Sequence, residues 1–433
     1  MKNRILTFAL AIAATIAIVS CDKDEVTPVG DTFTFTPDTP NLQNAVQTAL
    51  IEMNDNDIIE FTEGEFLFTN TLSIDDKTNI TLIGAGKEKT ILDFSNQTQG
   101  GSGAQGIIAS KTDQILFKDF TIQDADGDNI KVKDSDGVSF INLSAVYTGP
   151  VTPENGAYSL YPVTSKNVYI TGCYIRGASD AGIYVGQSEN VIVSNNEVVE
   201  NVAGIEIENC IASDVFGNNV HDNTGGILIF DLPGLPIIEN GRQTRIFDNV
   251  IKNNNHDNFA PQGNMVGIVP PGSGLMMLAC REVEVFNNEV SGNNFMPISM
   301  YSYTILRLDD PDVTWPESFD PNLQIINIHD NDIAEITEAY NPNQSDLGGA
   351  LIYAYNKHPE KDLFNNMPTL IWGGVYDVFN TGSLTHNICI QDNSSSNFVN
   401  LAAYSDFQLL NHDITQFVCT QNPLPEVIVN ARK

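Results

Sequence analysis

Three features of the 433-residue chain predict an all-β protein built as one right-handed parallel β-helix. First, Asp180-Ala-Gly-Ile-Tyr-Val185, Val202-Ala-Gly-Ile-Glu-Ile207 and Thr224-Gly-Gly-Ile-Leu-Ile229 recur every 22 residues. Second, a phrase best seen as Val191-Ile-Val-Ser-Asn-Asn-Glu-Val198 lies between them. Its cognates are read at 115–122, 138–145, 168–175, 213–220, 243–250, 283–290, 326–333 and 381–388. Third, Asn196, Asn218, Asn288 and Asn331 share the sixth position of that phrase, which predicts a side-chain ladder at one bend. Val/Ile alternating with polar residues gives strand periodicity, and Asn/Gly clusters supply the turns. A single coil cannot bury its own inward face, so stacked coils share one core. Antiparallel barrels do not hold such a period, and a propeller blade needs about twice the length.

The elements follow in chain order. Lys2 and Arg4, the apolar run Ile5 to Val19, and Ser20 before Cys21 have the order of a secretory signal over residues 1–20. Residues 21–40 begin Asp22-Lys23-Asp24-Glu25 and become Thr/Pro-rich, as a flexible tether does. Coils are expected over 41–394. Leu42, Ala45, Val46 and Leu50 have helical spacing and suit an amphipathic cap on the first coil, where an open sheet edge needs cover. About ten coils follow. They are interrupted by long inserts at 230–242, 253–279, 301–323 and 334–380, and residues 395–433 are expected to cap the far end. Inserts clustered on a rigid scaffold carry function or simply shield the solenoid.

Composition removes several functions. Asp and Glu number 55 against 21 Lys and Arg, a formal charge of −34. Such a surface repels nucleic acid, and it repels anionic polysaccharide unless a divalent cation bridges the two. No Walker, dinucleotide, Gly-x-Ser-x-Gly or His-Glu-x-x-His motif occurs, so nucleotide, hydride and zinc chemistry have no support. Of the five cysteines after Cys21, Cys389 with Cys419 is the pair worth testing as a disulfide; most read as small buried residues.

Ile18-Val19-Ser20-Cys21 resembles the lipobox of bacterial lipoproteins, and the acidic run after it resembles the surface-export signals of Bacteroidetes-type lipoproteins. The resemblance implies lipidation at Cys21 and an outer-membrane lipoprotein of the cell envelope, its side of the membrane open; an ordinary signal peptide with an incidental Cys is the alternative. Residues 42–300 resemble a bacterial family of secreted or lipidated parallel β-helix repeat proteins. The phrases that carry this are Asp126-Gly-Asp-Asn-Ile-Lys-Val-Lys133, Glu154-Asn-Gly-Ala-Tyr-Ser-Leu-Tyr-Pro162, Gly177 to Gln187, Val202 to Asn209, Phe230-Asp-Leu-Pro-Gly-Leu-Pro236 and Asn258-Phe-Ala-Pro-Gln-Gly-Asn264. The family implies fold and export but no reaction. The chain is more distantly similar to the pectate lyase, polygalacturonase and mannuronan epimerase superfamily, whose coils bind and process polysaccharides. Their signatures Asp-Pro-His-Asp, Gly-His-Gly and Arg-Ile-Lys are absent here.

Aligning the coils gives candidate chemistry. If Ile130, Leu160, Ile183, Ile205 and Ile227 point inward, the next residues form an outward column: Lys131, Tyr161, Tyr184, Glu206, Leu228. Two residues on, the column is Lys133, Val163, Gly186, Glu208, Phe230. Tyr rings stack on sugars, and Lys and Glu move protons or hold carboxylates. Lys131 or Tyr184 as base, Lys133 as neutraliser of a uronate carboxylate, and Glu206 are the candidate catalytic groups. Tyr161, Glu208, Asp231 and His256 are the candidate substrate contacts. The plainer reading of the same column is a solvated face with ordinary ion pairs. Asp124, Asp126 and Asp128 alternate as Ca2+ ligands do, although Asp-Gly-Asp is equally ordinary turn chemistry; no other cofactor is implied. Two functions remain open, an envelope protein that binds a polysaccharide, with or without cleaving or remodelling it, and a non-catalytic scaffold that binds a partner protein.

Overall fold

Short Val/Ile-rich segments separated by residues that tolerate left-handed backbone build the structure. The computed structural model describes residues 30–97, 104–308, 312–338, 347–349, 351–352, 367–374, 387–405 and 407–433. Each coil visits three parallel sheets in turn, as in 115–118, 121–123 and 130–133. Among the described residues the first sheet has 12 strands, the second 10 and the third 11. Cα partners step from coil to coil, for example Val168↔Val191↔Ser213↔Thr244↔Val283↔Ile326↔Ile388. The right-handed parallel β-helix expected from the repeat is therefore the fold.

The bends explain the asparagines. Between the first and second sheets Asn195, Gly217, Asp248, Asn287 and Asp330 have φ between 54° and 65°, a region open to Gly and tolerated by Asn and Asp. The next residue in each coil is the ladder Asn. Asn196, Asn218, Asn249, Asn288, Asn331 and Asn393 pass side-chain amide bonds up the stack, each Nδ2 donating to the following Oδ1 at 2.8–2.9 Å. Asn201, Asn223, Asn254 and Asn293 form a second ladder at the next bend, at 2.9–3.0 Å. Two repeat assignments need correction here. Thr244, not Gln243, pairs with Ser213, and Ile388, not Thr381, pairs with Ile326. These offsets hid Asn249 and Asn393.

The inward faces of all three sheets form one core from Phe35 to Phe417. The expected capping helix, α1 at Leu42–Glu52, buries Val46, Ala49 and Leu50 and lies beside the first strand of the third sheet, where Gln47 bonds both backbone groups of Ser73. Two ends differ from expectation. Thr32–Phe35, within the expected tether, pairs with Ile58–Phe61 and adds a strand to the first sheet. At the other end Phe417 caps the core against Trp372 and Phe398, but residues 420–433 do not cap. They run back along the outside of the first sheet. Leu424, Val427 and Asn430 donate backbone N–H groups to Glu284, Asp214 and Asn167, and Arg432 reaches the Ile80 carbonyl. Val427 and Val429 pack on Ile192 beneath this strap. A disulfide joins Cys389 to Cys419 at its start; Cys173, Cys210 and Cys280 are free and buried. Cys21 and the signal segment lie outside the described residues. Among the described residues no helix is long and apolar enough to cross a membrane.

Candidate functional site

The outward face of the third sheet holds the expected column in the expected register. Lys131 pairs with Tyr161, Tyr184 with Glu206, and Glu206 with Leu228, while Lys133–Val163–Gly186–Glu208–Phe230 form the second row. The face is not, however, solvated along its length. A second apolar core, containing Leu228, Phe230, Val266, Val269, Met276 and Leu278, covers it from the Glu206 coil onward. Its roof is the insert after Asn253. The Asn258 amide bonds the Val266 and Val269 carbonyls at 2.9 Å and holds that loop in shape.

At the edge of the roof the side chains change character. Lys131, Lys133, Tyr158 and Tyr161 are half-buried, whereas Tyr184, Glu206 and Glu208 are 6%, 2% and 7% exposed. The rings of Tyr158, Tyr161 and Tyr184 touch one another at 4.5–5.0 Å between centroids. The Lys131 ammonium sits 4.2 Å over the Tyr161 ring, a cation–π contact. Behind this shelf lie four carboxyl groups, Asp128, Asp180, Glu206 and Glu208. Tyr184 donates to Glu208 at 2.7 Å, and the Asn264 amide of the roof donates to Asp180 at 3.1 Å. Glu206 Oε2 is buried with no hydrogen-bond partner among the described residues.

Burial in a low dielectric disfavours the charged form of each group. Burial, then Glu208, then Asp180 push the Glu206 carboxyl well above the usual range. Asp180 is raised to about 7, by burial first and by Glu208 next, with Tyr158 and Asn264 pulling it back. Burial also raises Glu208, opposed by the Tyr184 hydrogen bond, and raises Asp128, opposed by Lys131. Lys131 shifts the other way, lowered by burial. Tyr184 is held as a protonated phenol, since burial and Glu208 raise its pKa; that is the reverse of what a tyrosine base requires. The cluster is a set of carboxyl groups whose pKa values burial raises, beside an ammonium and an aromatic shelf, suited to giving and taking protons.

Other expected residues stand apart. Asp231 is buried one coil beyond Glu208, with Oδ2 unpartnered among the described residues and its pKa raised by burial against Gly241 N–H and Arg281. It sits among Gly241, Arg281 and Asp320 rather than at the shelf. His256 bonds the Asp257 carbonyl and meets Phe259, and it lines a separate polar hollow with Asp222, Asn255, Asn294 and Glu338. The three Asp candidates for Ca2+ do not converge. Asp124 accepts from the Thr148 backbone and hydroxyl, Asp126 donates its backbone N–H to Gln97, and Asp128 turns in toward the Tyr158 N–H. Among the described residues no three His, Cys, Asp or Glu side chains group as metal ligands do. Asp180 and Tyr158 were not singled out from the sequence. Asp180 had a signal, because the equivalent positions one and two coils on are Val202 and Thr224.

Residues 105–310 match a family model described as a right handed beta helix region. These are the coils that carry the shelf and its roof. No curated protein matches the chain. Among solved structures it is similar to the A-module of a mannuronan C-5 epimerase from Azotobacter vinelandii, at 12% identity over 68% of this chain and 83% of that one, with a TM-score of 0.42. It is similar to a polygalacturonase from Erwinia carotovora ssp. carotovora at 15% identity, over 64% and 92% of the two chains, with a TM-score of 0.40. The catalytic unit of a GH87 alpha-1,3-glucanase from Streptomyces thermodiastaticus gives 14% identity, 77% and 48% coverage, and a TM-score of 0.44.

Proposed function

We propose that this right-handed β-helix protein binds an extracellular glycan on the Tyr158–Tyr161 shelf and processes it by proton transfer from the carboxyl cluster behind. The observation that carries the reading is the juxtaposition itself. Four carboxyl groups with raised pKa values adjoin three touching tyrosine rings on one sheet face. Aromatic faces bind the apolar side of a sugar ring. Asp180 and Glu208, at the edge of the roof, are placed to exchange protons with a ring on that shelf. Lys131 shields the charge that develops there, and Lys133 extends the cationic rim. Glu206 lies too deep to touch a sugar. Burial and its two carboxyl neighbours favour the protonated form of Glu206, which keeps the cluster's charge low, while burial and Glu208 hold the Asp180 pKa at about 7. No metal is needed for this proposal.

The test uses protein beginning at residue 30 and a panel of neutral and uronate polysaccharides. Binding is followed by affinity electrophoresis, and products by reducing ends and by ultraviolet absorbance of unsaturated sugars. Product lost in Asp180→Asn and Glu208→Gln with binding retained, and binding weakened in Tyr161→Ala, is the expected pattern. Retardation without product in the parent protein makes the shelf a binding module. Neither binding nor product turns the assignment to a scaffold for a partner protein. Export to the cell envelope through a lipid on Cys21 belongs to the same proposal, supported by the Cys389–Cys419 disulfide, which suits an oxidising compartment. Cys21→Ser is expected to move the protein from the membrane to the soluble fraction.

A further inference from the structure

The exposure of the outward column changes along the solenoid in one direction. In register it runs Ser73, Ile108, Lys131, Tyr161, Tyr184, Glu206, Leu228, Met276, Ser299, Ile371 and Val399. Ser73 is exposed; Ile108, Lys131 and Tyr161 are half-buried. From Tyr184 onward every member is buried, and Leu228, Met276 and Ser299 are wholly so. The open part spans three coil steps, about 15 Å at about 4.8 Å per strand. It therefore ends in a wall rather than continuing as a groove.

The wall stands at the carboxyl cluster. On one side Asn264 of the roof is bonded to Asp180. On the other, the Asn209 side chain bonds the Leu232 N–H and the Leu232 and Glu239 carbonyls, and Gln187 accepts from Ile237, so the 231–239 insert is pinned to the Tyr184 and Glu208 coils. Between them Leu228 and Phe230 are packed under Val266 and Val269. A polymer lying on the tyrosine shelf has no way through past Glu206.

We infer that the site takes a glycan by its terminus and acts on the end residue, releasing short products from one end. The inference rests on the proposed glycan-processing reading and adds the mode of action. Inserts with no repeat period set that mode, because they close a face that the coils alone would leave open from end to end.

The test follows viscosity and small products together on whichever polysaccharide in the panel is processed, and repeats the measurement on the same polymer with bulky groups coupled to its reducing or non-reducing ends. Mono- or disaccharides from the first time point, viscosity falling only with mass lost, and loss of release when one class of end is blocked are expected. If the parent protein binds without turnover, the same blocked polymers are compared by affinity electrophoresis, and loss of binding with one class of end is expected. A rapid fall in viscosity before small products appear, or equal turnover or binding with both ends blocked, overturns the terminal mode and leaves the glycan reading intact. Absence of binding and product with every glycan removes both.

Discussion

Asp180 shows how much one side chain's surroundings decide. Its carboxyl is raised from 3.8 to about 7 by burial and by Glu208, so the folded chain keeps a proton that the unfolded chain has released between those values. Its contribution to stability is fully present below about pH 4 and is lost as pH rises through about 7. The melting temperature is expected to fall from pH 5 to pH 8, and to fall less in Asp180→Asn. An identical drop in both proteins would sink the assignment, since repulsion from the −34 net charge acts on each alike. Glu206→Gln is expected to raise stability at pH 8 more than at pH 5, for the same reason. The columns that hold Glu206 and Lys131 were legible because a 22-residue period fixes which residues stack. Their burial was not, because it depends on Val266, Val269 and Asn264, which belong to an insert without a period. That is why Tyr184 looked like a base and proved to be a phenol bonded to Glu208.

At the scale of elements, the two asparagine ladders hold the bends in line. Asn249 takes hydrogen bonds from both the backbone and the amide of Asn218, and gives its own amide to Val215 and Asn288. Asn249→Ala removes the acceptor of the buried Asn218 backbone N–H, which costs about 1–3 kcal/mol, and breaks further amide bonds, although Asn288 Oδ1 keeps the residue 249 N–H and the Asn218 amide keeps the Val193 carbonyl. Urea unfolding is expected to show a loss of about 3 kcal/mol; a change within experimental error would mean that water or a neighbour replaces the rung. Asn249→Asp, which lacks the amide donor, is expected to be no milder. The first ladder was visible at Asn196, Asn218, Asn288 and Asn331, where the strand before each Asn is aligned in the true register. It was hidden at Asn249 and Asn393, where inserts shift the alignment. The second ladder went unread because Asn201, Asn223, Asn254 and Asn293 stand among other polar residues, where a buried Asn and a solvated one look alike in sequence.

For the whole molecule, solenoid stability is normally a sum of terms between neighbouring coils. The strap adds contacts of another kind, such as the Arg432 bond to Ile80, 352 residues away in sequence. Its anchor is the 30-residue loop closed by Cys389 and Cys419. By the loop-closure model such a bridge is worth about 3–4 kcal/mol. Reduction is expected to lower the melting temperature, and deletion of residues 421–433 is expected to expose Tyr169, Ile192 and Phe216 to a hydrophobic dye. Unchanged melting and no dye binding after deletion would show that the strap is a passenger. Nothing in the composition of 395–433 distinguishes a strap from a cap. The distinction lies in which outward side chains of distant coils, Asp214 and Glu284 among them, offer acceptors to its backbone.

The strap also has a mechanical consequence. Because it runs against the direction in which the coils accumulate, Arg432 lies beside Ile80, two strands along the first sheet from Thr32–Phe35. The two extremities of the folded body thus meet at one pole, and the coils between them are bypassed by a return line. A pull applied between residues 31 and 433 loads that line first. It peels the bonds to Ile80, Asn167, Asp214 and Glu284 one after another, and each release moves the point of attachment further along the stack, so the load reaches the coils in order from the first toward the disulfide.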